Sequence, residues 1–400
     1  MNNNEQKALV PVEEKPKKQN YWDRVSHAYT AVFRALLFVL PLFVIVFMAI
    51  CAQAFTRNSV FGFGNDLLSV SSFLSSDYST VYYTYEEGEH TVLSYRDGVA
   101  VVSPSGIQVY SPDGDRLLDK EMKLRAPRAV SSAKYLVVYD FGTASFAVTN
   151  GYSVLFEGET DFPILDAAVS DTGHFALVTS SDTHLSQVLL YDVNFNLVQR
   201  FSRNSATTDV CLSSNGKYVA FCGLSSENGV GQSKTELYRI GAKEPAFSIS
   251  VPELALSLSF TDTRHLMLVT PQAGYLLDLD GEQRNKLDFG GAALVSFVAG
   301  ENGCAFLLND DDVHAQSRVL SCDKRGELLF ERNLDADFTS VAFDGDRAYL
   351  LGGNALMRVG ENASQDTEIA VSPGAEKILL TEQGQLRLVY AGAAEYVEFD

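Results

Sequence analysis

Two short acidic turns hold the side chains best suited to metal chemistry in this sequence. One is the loop at 309–312, where Asn and three Asp residues precede His314, and the other spans 278–282 around Gly281. Carboxylates bind hard cations such as calcium, but a calcium loop needs alternating oxygen ligands and a central glycine. The first turn lacks both features, and the second is typical of an ordinary acidic turn. We therefore interpret both as solvated turns and assign no metal site.

Motifs for other chemistry are missing from the sequence. The six histidines never occur as H-E-x-x-H or H-x-x-E-H, and no C-x-x-C is present. A G-x-S-x-G nucleophile turn and both glycine-rich phosphate loops are also absent. We therefore name no catalytic, cofactor-binding or metal-binding residue and expect no cofactor. Enzymatic activity stays undecided, with a non-enzymatic role preferred.

The charge of the chain argues against nucleic acid as a partner. Asp and Glu outnumber Lys and Arg by 51 to 31, and the net charge at pH 7 is −20. Binding to phosphates depends on Lys and Arg, and residues 60–400 carry no basic stripe. Such acidity is typical of a soluble surface, and it also favours a basic partner.

Residues 35–54 form an uncharged apolar run of 20 positions. A helix rises about 1.5 Å per residue, so this run matches the roughly 30 Å hydrocarbon core of a bilayer. Six basic residues precede the run, and Arg57 alone follows it closely. The positive-inside rule then predicts a single-pass protein of the cell membrane, with the N-terminus cytoplasmic and the rest outside.

The apolar run is interpreted as a retained anchor, although Ala52, Gln53 and Ala54 also form a pattern for cleavage after Ala54. The run and the segment before it are both longer than a signal peptide requires. We predict a disordered cytoplasmic tail at 1–20, a juxtamembrane and transmembrane helix at 21–55, a linker at 56–77 and an extracytoplasmic domain at 78–400.

Beyond the linker, a pair of short apolar strands joined by a polar turn recurs eight times, with starts separated by 29 to 48 residues. A second hairpin often fills the gap, so that each unit has about four strands. The copies begin at Leu93, Ala129, Ala168, Cys211, Ser259, Ser296, Val341 and Ala370.

Four-stranded units at a period near 40 residues are typical of β-propeller blades. We predict an all-β domain of eight blades, with seven as the alternative. Segments 135–140 and 304–310 are apolar at nearly every position, as expected for sheets covered on both faces. A strand within residues 79–86 is predicted to complete a last blade formed from residues 377–399.

Five cysteines are too few for a disulfide scaffold. Cys304 and Cys322 flank the 309–317 loop symmetrically, so we expect them to face each other on adjacent strands. Two small buried thiols are the preferred interpretation, and a bridge is the alternative.

The segments AVSDTGHFALV (168–178) and LYDVNFNLV (190–198) resemble the repeats of WD proteins, with Gly173 and His174 followed by Tyr191 and Asp192. With its anchor, the chain resembles a family of single-pass membrane proteins of unknown function from Gram-positive bacteria, which carry an external propeller of the WD- and quinoprotein-like kind. Tyr191 stands where WD repeats have tryptophan. The single tryptophan, Trp22, lies before the membrane run, which argues against a quinone cofactor.

The resemblance and the repeats imply a membrane-anchored, non-enzymatic scaffold that binds a protein or another envelope component. Long insertions at 225–234 and 309–317 support this expectation, since insertions in repeat arrays collect on binding faces. One alternative is a hydrolase with its site in the central channel. Another is a sensor that signals to the cytoplasmic tail. The sequence does not define the ligand, the cellular process or the oligomeric state.

Overall fold

The computed structural model describes residues 29–30, 32–37, 39, 78–84, 88–227, 229–311 and 316–399. The chain divides into two compact units, Met1–Phe63 and Gly64–Asp400. In the first unit, the described residues are helical and exposed. None of the helices within the described ranges combines the length and the apolar character that a membrane crossing requires. The predicted tail, most of the 35–54 run, the cleavage pattern and the linker lie outside the described residues.

Within the described part of the second unit, 32 strands form eight four-stranded sheets, which confirms the predicted eight-bladed β-propeller. Strands are numbered in chain order, and blades 1 to 4 consist of β2 (Thr91–Tyr95), β3 (Gly98–Ser103), β4 (Gly106–Tyr110) and β5 (Arg116–Glu121); β6 (Pro127–Ser131), β7 (Leu136–Asp140), β8 (Ser145–Thr149) and β9 (Val154–Glu159); β10 (Ile164–Val169), β11 (Phe175–Thr179), β12 (Ser186–Tyr191) and β13 (Leu197–Arg203); and β14 (Ala206–Leu212), β15 (Tyr218–Glu227), β16 (Val230–Arg239) and β17 (Phe247–Val251).

Blades 5 to 7 repeat this plan, and blade 8 borrows its outer strand from the start of the domain. They consist of β18 (Ser257–Phe260), β19 (His265–Val269), β20 (Ala273–Asp278) and β21 (Gln283–Asp288); β22 (Ala293–Gly300), β23 (Gly303–Asp311), β24 (Gln316–Cys322) and β25 (Leu328–Leu334); β26 (Ser340–Phe343), β27 (Ala348–Gly352), β28 (Ala355–Val359) and β29 (Thr367–Ala370), preceded by the 3₁₀ turn Ala363–Gln365; and β30 (Lys377–Leu380), β31 (Leu386–Tyr390) and β32 (Ala393–Val397) with β1 (Val81–Tyr82).

The ring is closed on itself. Each innermost strand contacts the innermost strand of the next blade, and β30 of blade 8 contacts β2 of blade 1. The N-terminal strand β1 pairs with β32, with Val81 opposite Ala394 and Tyr82 opposite Ala393. The prediction that an N-terminal strand completes the last blade is therefore confirmed. Closure leaves no blade face exposed at a seam.

Arg387 on β31 stabilises this closure. Its side chain is fully buried, and its guanidinium donates hydrogen bonds to three backbone carbonyls. They belong to Ser79 beside β1 (2.5 Å), Pro112 of blade 1 (2.6 Å) and Ala394 of β32 (3.4 Å). One side chain thus joins both ends of the domain to the first blade.

Burial is greatest in the middle strands of each blade, and the sequence explains why. The second strands β7 and β11 are buried at every position, because both of their faces pack on neighbouring blades. The outer strands β5 and β21 are mostly exposed and rich in charged residues. The hydrophobic clusters lie between blades, as where Leu258 and Leu268 of blade 5 pack with Leu237 of blade 4. Contacts between neighbouring blades therefore form the core.

The antiparallel order of each blade defines two ends of the ring. Turns between first and second strands, and between third and fourth strands, lie at one end, which we call the turn face. Turns between second and third strands, and the connections between blades, lie at the other end, which we call the hairpin face.

Seven of the eight predicted repeats coincide with the hairpin of a first and a second strand. The copy assigned to Ala370 is wrong, because residues 371–376 connect β29 of blade 7 to β30 of blade 8. The inner hairpin of blade 8 instead joins β30 to β31, which accounts for the short spacing of this last copy.

The acidic turn at 278–282 has the predicted structural role. The Asp278 carboxylate accepts hydrogen bonds from the backbone N–H groups of Asp280 (3.0 Å) and Glu282 (2.9 Å). Asp192 and Asp323 make the same pair of bonds at corresponding turns of blades 3 and 6. An aspartate that caps its own turn is a repeated element of the blade.

Cys304 and Cys322 lie directly opposite each other on β23 and β24, as predicted. Both are free thiols and fully buried, so the preferred interpretation holds and the alternative of a bridge is wrong. Burial and the neighbouring thiol raise the pKa of Cys304 well above its usual value, with the hydrogen bond to Cys322 as the largest cause. Cys304 therefore stays protonated, and the two side chains pack as small apolar groups.

Candidate functional site

The hairpin face of blades 3 to 5 carries four exposed leucines. The exposed fractions are 65% for Leu185, 43% for Leu224, 46% for Leu254 and 41% for Leu256. Single exposed leucines are ordinary on protein surfaces, whereas a contiguous group at one site is typical of an interaction surface. The relative positions of the four leucines therefore decide whether they indicate an interaction surface.

Two contacts connect the segments that carry three of the leucines, one between paired strands and one to a serine hydroxyl. Leu224 on β15 lies opposite Ser233 on β16. The Ser233 hydroxyl accepts a hydrogen bond of 2.8 Å from the backbone N–H of Ala255, which stands between Leu254 and Leu256. Leu254 and Leu256 therefore flank a residue that is hydrogen-bonded to the strand next to Leu224.

The fourth leucine, Leu185, is connected to the strand opposite Leu224 by backbone contacts at the end of blade 3. The backbone N–H of Leu185 donates to the carbonyl of Arg203 at 3.0 Å, at the end of β13. The chain then turns into β14, whose first residue, Ala206, lies opposite Leu224. The four leucines therefore lie on neighbouring segments of three blades at the hairpin face, and we call them the leucine patch.

A two-stranded ribbon projects beside the leucine patch. Strands β15 and β16 stay paired as far as Glu227 and Val230, whereas β14 pairs only up to Leu224 and β17 only from Ser233. The predicted loop at 225–234 is thus mostly paired strand, which corrects that expectation. The backbone edges of the ribbon beyond these limits have no neighbouring strand within the described residues.

An ion-pair cluster holds the base of the ribbon. Glu236 on β16 forms a buried ion pair with Arg203 of blade 3 and a second with Lys234 at 2.9 Å. Burial acts to raise the pKa of Glu236, but hydrogen bonds from Lys234 and Arg203 outweigh it and hold that pKa below its usual value. The Arg203 guanidinium also lies 4.5 Å from the centre of the Phe221 ring. The ribbon therefore has a fixed base.

The second predicted insertion also belongs to the hairpin face. Strand β23 extends to Asp311 and β24 begins at Gln316. Residues 312–315, which include His314, lie outside the described residues. The interpretation of the acidic turn at 309–312 therefore stays a prediction.

A pair of carboxyl groups lies on the innermost strands, where sequence analysis named no residue. Asp166 on β10 and Asp209 on β14 each follow a β-bulge and are hydrogen-bonded to each other. Asp166 accepts the backbone N–H of Val210 in blade 4 at 3.2 Å, and Asp209 accepts that of Leu258 in blade 5 at 2.6 Å. The two side chains therefore join three consecutive blades.

The pair shares a proton at neutral pH. Burial first, and then the charge of Asp209, raise the pKa of Asp166 to about 8. Burial also raises the pKa of Asp209, although the N–H of Leu258 and the Ser257 hydroxyl oppose the shift. Two carboxylates in hydrogen-bond contact cannot both ionise easily, so Asp166 is the protonated partner. The pair can donate or accept a proton, but its oxygens are already used to join the blades.

The sequence did contain a signal for this pair. Asp166 and Asp209 each stand two residues before the start of a repeat copy, at Ala168 and Cys211. They thus occupy equivalent positions of two consecutive repeats. Equivalent positions on innermost strands of neighbouring blades lie side by side, so alignment of the repeats could have revealed the pair.

The remaining polar residues named from the sequence do not converge. The four described histidines each bond locally, as His174 does with Thr172 and His265 with Asp262, both at 2.9 Å. No cluster of three or more His, Cys, Asp or Glu side chains suited to a metal ion occurs within the described ranges. The WD-like residue Tyr191 stacks on Phe175 with ring centres 4.5 Å apart, which is a packing role.

Closed four-stranded blades arranged in a ring define a β-propeller. The chain belongs to the family of unknown function DUF5711, whose model matches residues 72–399. A search of curated protein sequences gives no match.

Solved structures support the fold alone. The chain is similar to a chain of a mitotic checkpoint complex (11% identity, TM-score 0.50, 82% of this chain and 94% of that chain covered). It is also similar to BamB from Moraxella catarrhalis (12% identity, TM-score 0.50, 79% of this chain and 100% of that chain covered). A eukaryotic initiation factor gives 11% identity and a TM-score of 0.50, with 81% and 96% covered.

Proposed function

We propose that this protein is a non-enzymatic scaffold that binds a protein partner through the leucine patch and the adjoining ribbon. The leucine patch is the observation that carries the proposal. Apolar side chains supply most of the affinity at the centre of a protein interface, and a surrounding polar rim excludes water. The rigid base of the ribbon lowers the entropy lost on binding.

The partner is expected to present a complementary apolar surface. The 225–232 ribbon adds polar backbone edges beside the leucines, where a strand of the partner can pair. The overall charge of −20 favours a partner that is basic around its apolar contact.

Site-specific photo-crosslinking in cells tests this proposal. We expect a crosslinker at Leu254 to capture a discrete partner, because Leu254 is 46% exposed within the leucine patch. The double variant Leu185→Asp with Leu224→Asp places two charges in the interface and is expected to abolish capture. Loss of two apolar anchors at about 1–2 kcal/mol each corresponds to at least tenfold weaker binding.

The matched control is a crosslinker at Val193, which is 45% exposed at a turn of the opposite end. Capture of the same protein equally well from Val193, or full retention of capture in the double variant, contradicts the proposal.

The proposed location is the cell membrane, with residues 35–54 as the single anchor, the N-terminus in the cytoplasm and the propeller outside. The uncharged run and the basic residues before it support this topology. In protoplasts, an antibody is expected to reach a tag after Asp400 and not a tag before Met1. Deletion of 35–54 is expected to release the propeller from the membrane fraction, and the reverse pattern of tags contradicts the topology.

The hydrolase alternative finds little support in the carboxyl pair. Catalytic carboxyls of glycosidases stand about 5–9.5 Å apart so that sugar and water fit between them. Asp166 and Asp209 are in hydrogen-bond contact and are also bonded to backbone N–H groups of neighbouring blades. The sensor alternative depends on residues 1–20, outside the described ranges, and stays a prediction.

A further inference from the structure

A cavity of about 460 Å³ lies at the end of the axial channel on the turn face. Small-molecule sites typically measure about 300–1,000 Å³. Residues from five consecutive blades, from blade 6 through blade 8 to blade 2, line this cavity. Side chains such as Phe297, Val341 and Ile378 give it an apolar wall, and the residues nearer the rim are polar. It lies at the opposite end from the leucine patch.

Carboxylates dominate the charge at the rim. Glu301 and Glu382 line the cavity, and Asp97 and Asp171 are close enough to act on Glu382. Partial burial first, and then these three carboxylates, raise the pKa of Glu382 above its usual value, and Arg96 only partly offsets them. The Glu382 side chain is itself exposed at this rim and has no ion pair within the described residues. The neighbouring carboxylates therefore repel the negative charge of Glu382, and a bound cation would reduce this repulsion.

Three of the other charged groups near the rim are already engaged within the protein. Asp97 accepts two hydrogen bonds from Gln383, at 3.1 and 2.9 Å, and Asp171 accepts the backbone N–H of Ala133 at 2.8 Å. The Arg96 guanidinium donates to the carbonyl of Lys134 at 3.3 Å and lies over the Tyr95 ring. Glu301 and Glu382 are thus the two carboxylates that line the cavity itself, and Glu382 is the one that lies near Asp97 and Asp171.

The cation that fits is organic rather than a metal ion. The rim carboxylates do not converge into a cluster of three or more metal-binding side chains in the described part of the chain. The apolar wall instead suits methylene groups, and the carboxylate suits a group with N–H donors. We propose that this cavity binds an aliphatic primary ammonium group, from a free diamine or from a lysine side chain, with Glu382 as its counter-ion.

Isothermal titration of the full-length protein tests the site with two probes. Cadaverine represents a free diamine, and Nα-acetyl-lysine methylamide represents a lysine of a polypeptide. Saturable binding of either probe is expected, and it should weaken with added salt because the contact is ionic. Binding of cadaverine alone identifies a free diamine as the source, and binding of the lysine derivative alone identifies a polypeptide.

Glu382→Gln is expected to weaken binding roughly tenfold, because it removes a charge-assisted hydrogen bond. Glu327→Gln is the matched control. It removes the same charge from an exposed turn at the same end but outside the cavity lining, and it should bind like the unaltered protein.

Three results overturn the proposal. One is the absence of saturable binding of both probes at millimolar concentration. Another is equal binding by the Glu382→Gln variant, shown to be folded by its unchanged thermal unfolding. Equal affinity for the neutral Nα,Nε-diacetyl-lysine methylamide likewise excludes an ammonium site.

Discussion

Replacement of Arg387 by alanine is expected to lower the free energy of unfolding by about 3–5 kcal/mol, through the loss of its charge-assisted hydrogen bonds and of buried side-chain volume. The guanidinium is fully buried and donates to the carbonyls of Ser79, Pro112 and Ala394. The variant leaves these carbonyls without that donor and opens a cavity between blades 8 and 1. Urea unfolding followed by circular dichroism measures the loss.

Arg116→Ala is the matched control for this prediction. The Arg116 side chain is 53% exposed and forms a surface ion pair with Asp119 at 2.7 Å. Exposed pairs contribute about 0–1 kcal/mol, so this variant should unfold close to the original protein. Equal stability of the two variants would show that Arg387 does not hold the closure.

The Asp166→Asn variant is expected to be more stable than the original protein at pH 7, by roughly 2–4 kcal/mol. The pKa of Asp166 is about 8 in the folded protein, whereas an unfolded aspartate has a pKa of about 3.9. Folding therefore takes up a proton. The stability from the protonated pair is fully present below about pH 4 and is lost as pH rises through about 8.

Asparagine mimics the protonated carboxyl, since its amide donates to Asp209 and its oxygen accepts from Val210. The original protein should lose unfolding free energy between about pH 4 and 8, and the variant should lose less. Thermal unfolding across this range measures the difference. The two proteins should have similar stability near pH 4.

Asp278→Asn supplies a control of opposite sign. Burial acts to raise the pKa of Asp278, but hydrogen bonds from Glu282, Arg284 and Asp280 hold it below its usual value. Its stabilising effect is therefore present at neutral pH and disappears as pH falls below about 4, so this variant should be less stable at pH 7. A parallel pH dependence of the Asp166→Asn variant and the original protein would refute the shared proton.

Much of the fold was predictable because blade structure is local. The apolar second strands and the polar turns of the repeats placed seven inner hairpins correctly. The eighth was misplaced because the connection after Ala370 has the same apolar–turn–apolar pattern as a hairpin. Pattern alone does not distinguish a turn within a sheet from a turn between sheets.

The candidate sites were far less predictable, because each joins residues from different blades. Asp166 and Asp209 are 43 positions apart, and Arg387 meets Ser79 across 308 positions. The leucine patch draws on three blades whose exposed leucines look unremarkable one at a time. Only the closed ring brings such residues together.

Closure through β1 also has a mechanical consequence. Strand β1 is two residues long, pairs with β32 alone, and immediately follows the segment that would tether the domain. Any pull along that tether would act first on Tyr78, which bonds to Gln383 and stacks on Tyr396, and then on Ser79 and the two residue pairs of β1. If residues 35–54 anchor the domain as proposed, tension would separate β1 from blade 8 before it strained the other seven blades.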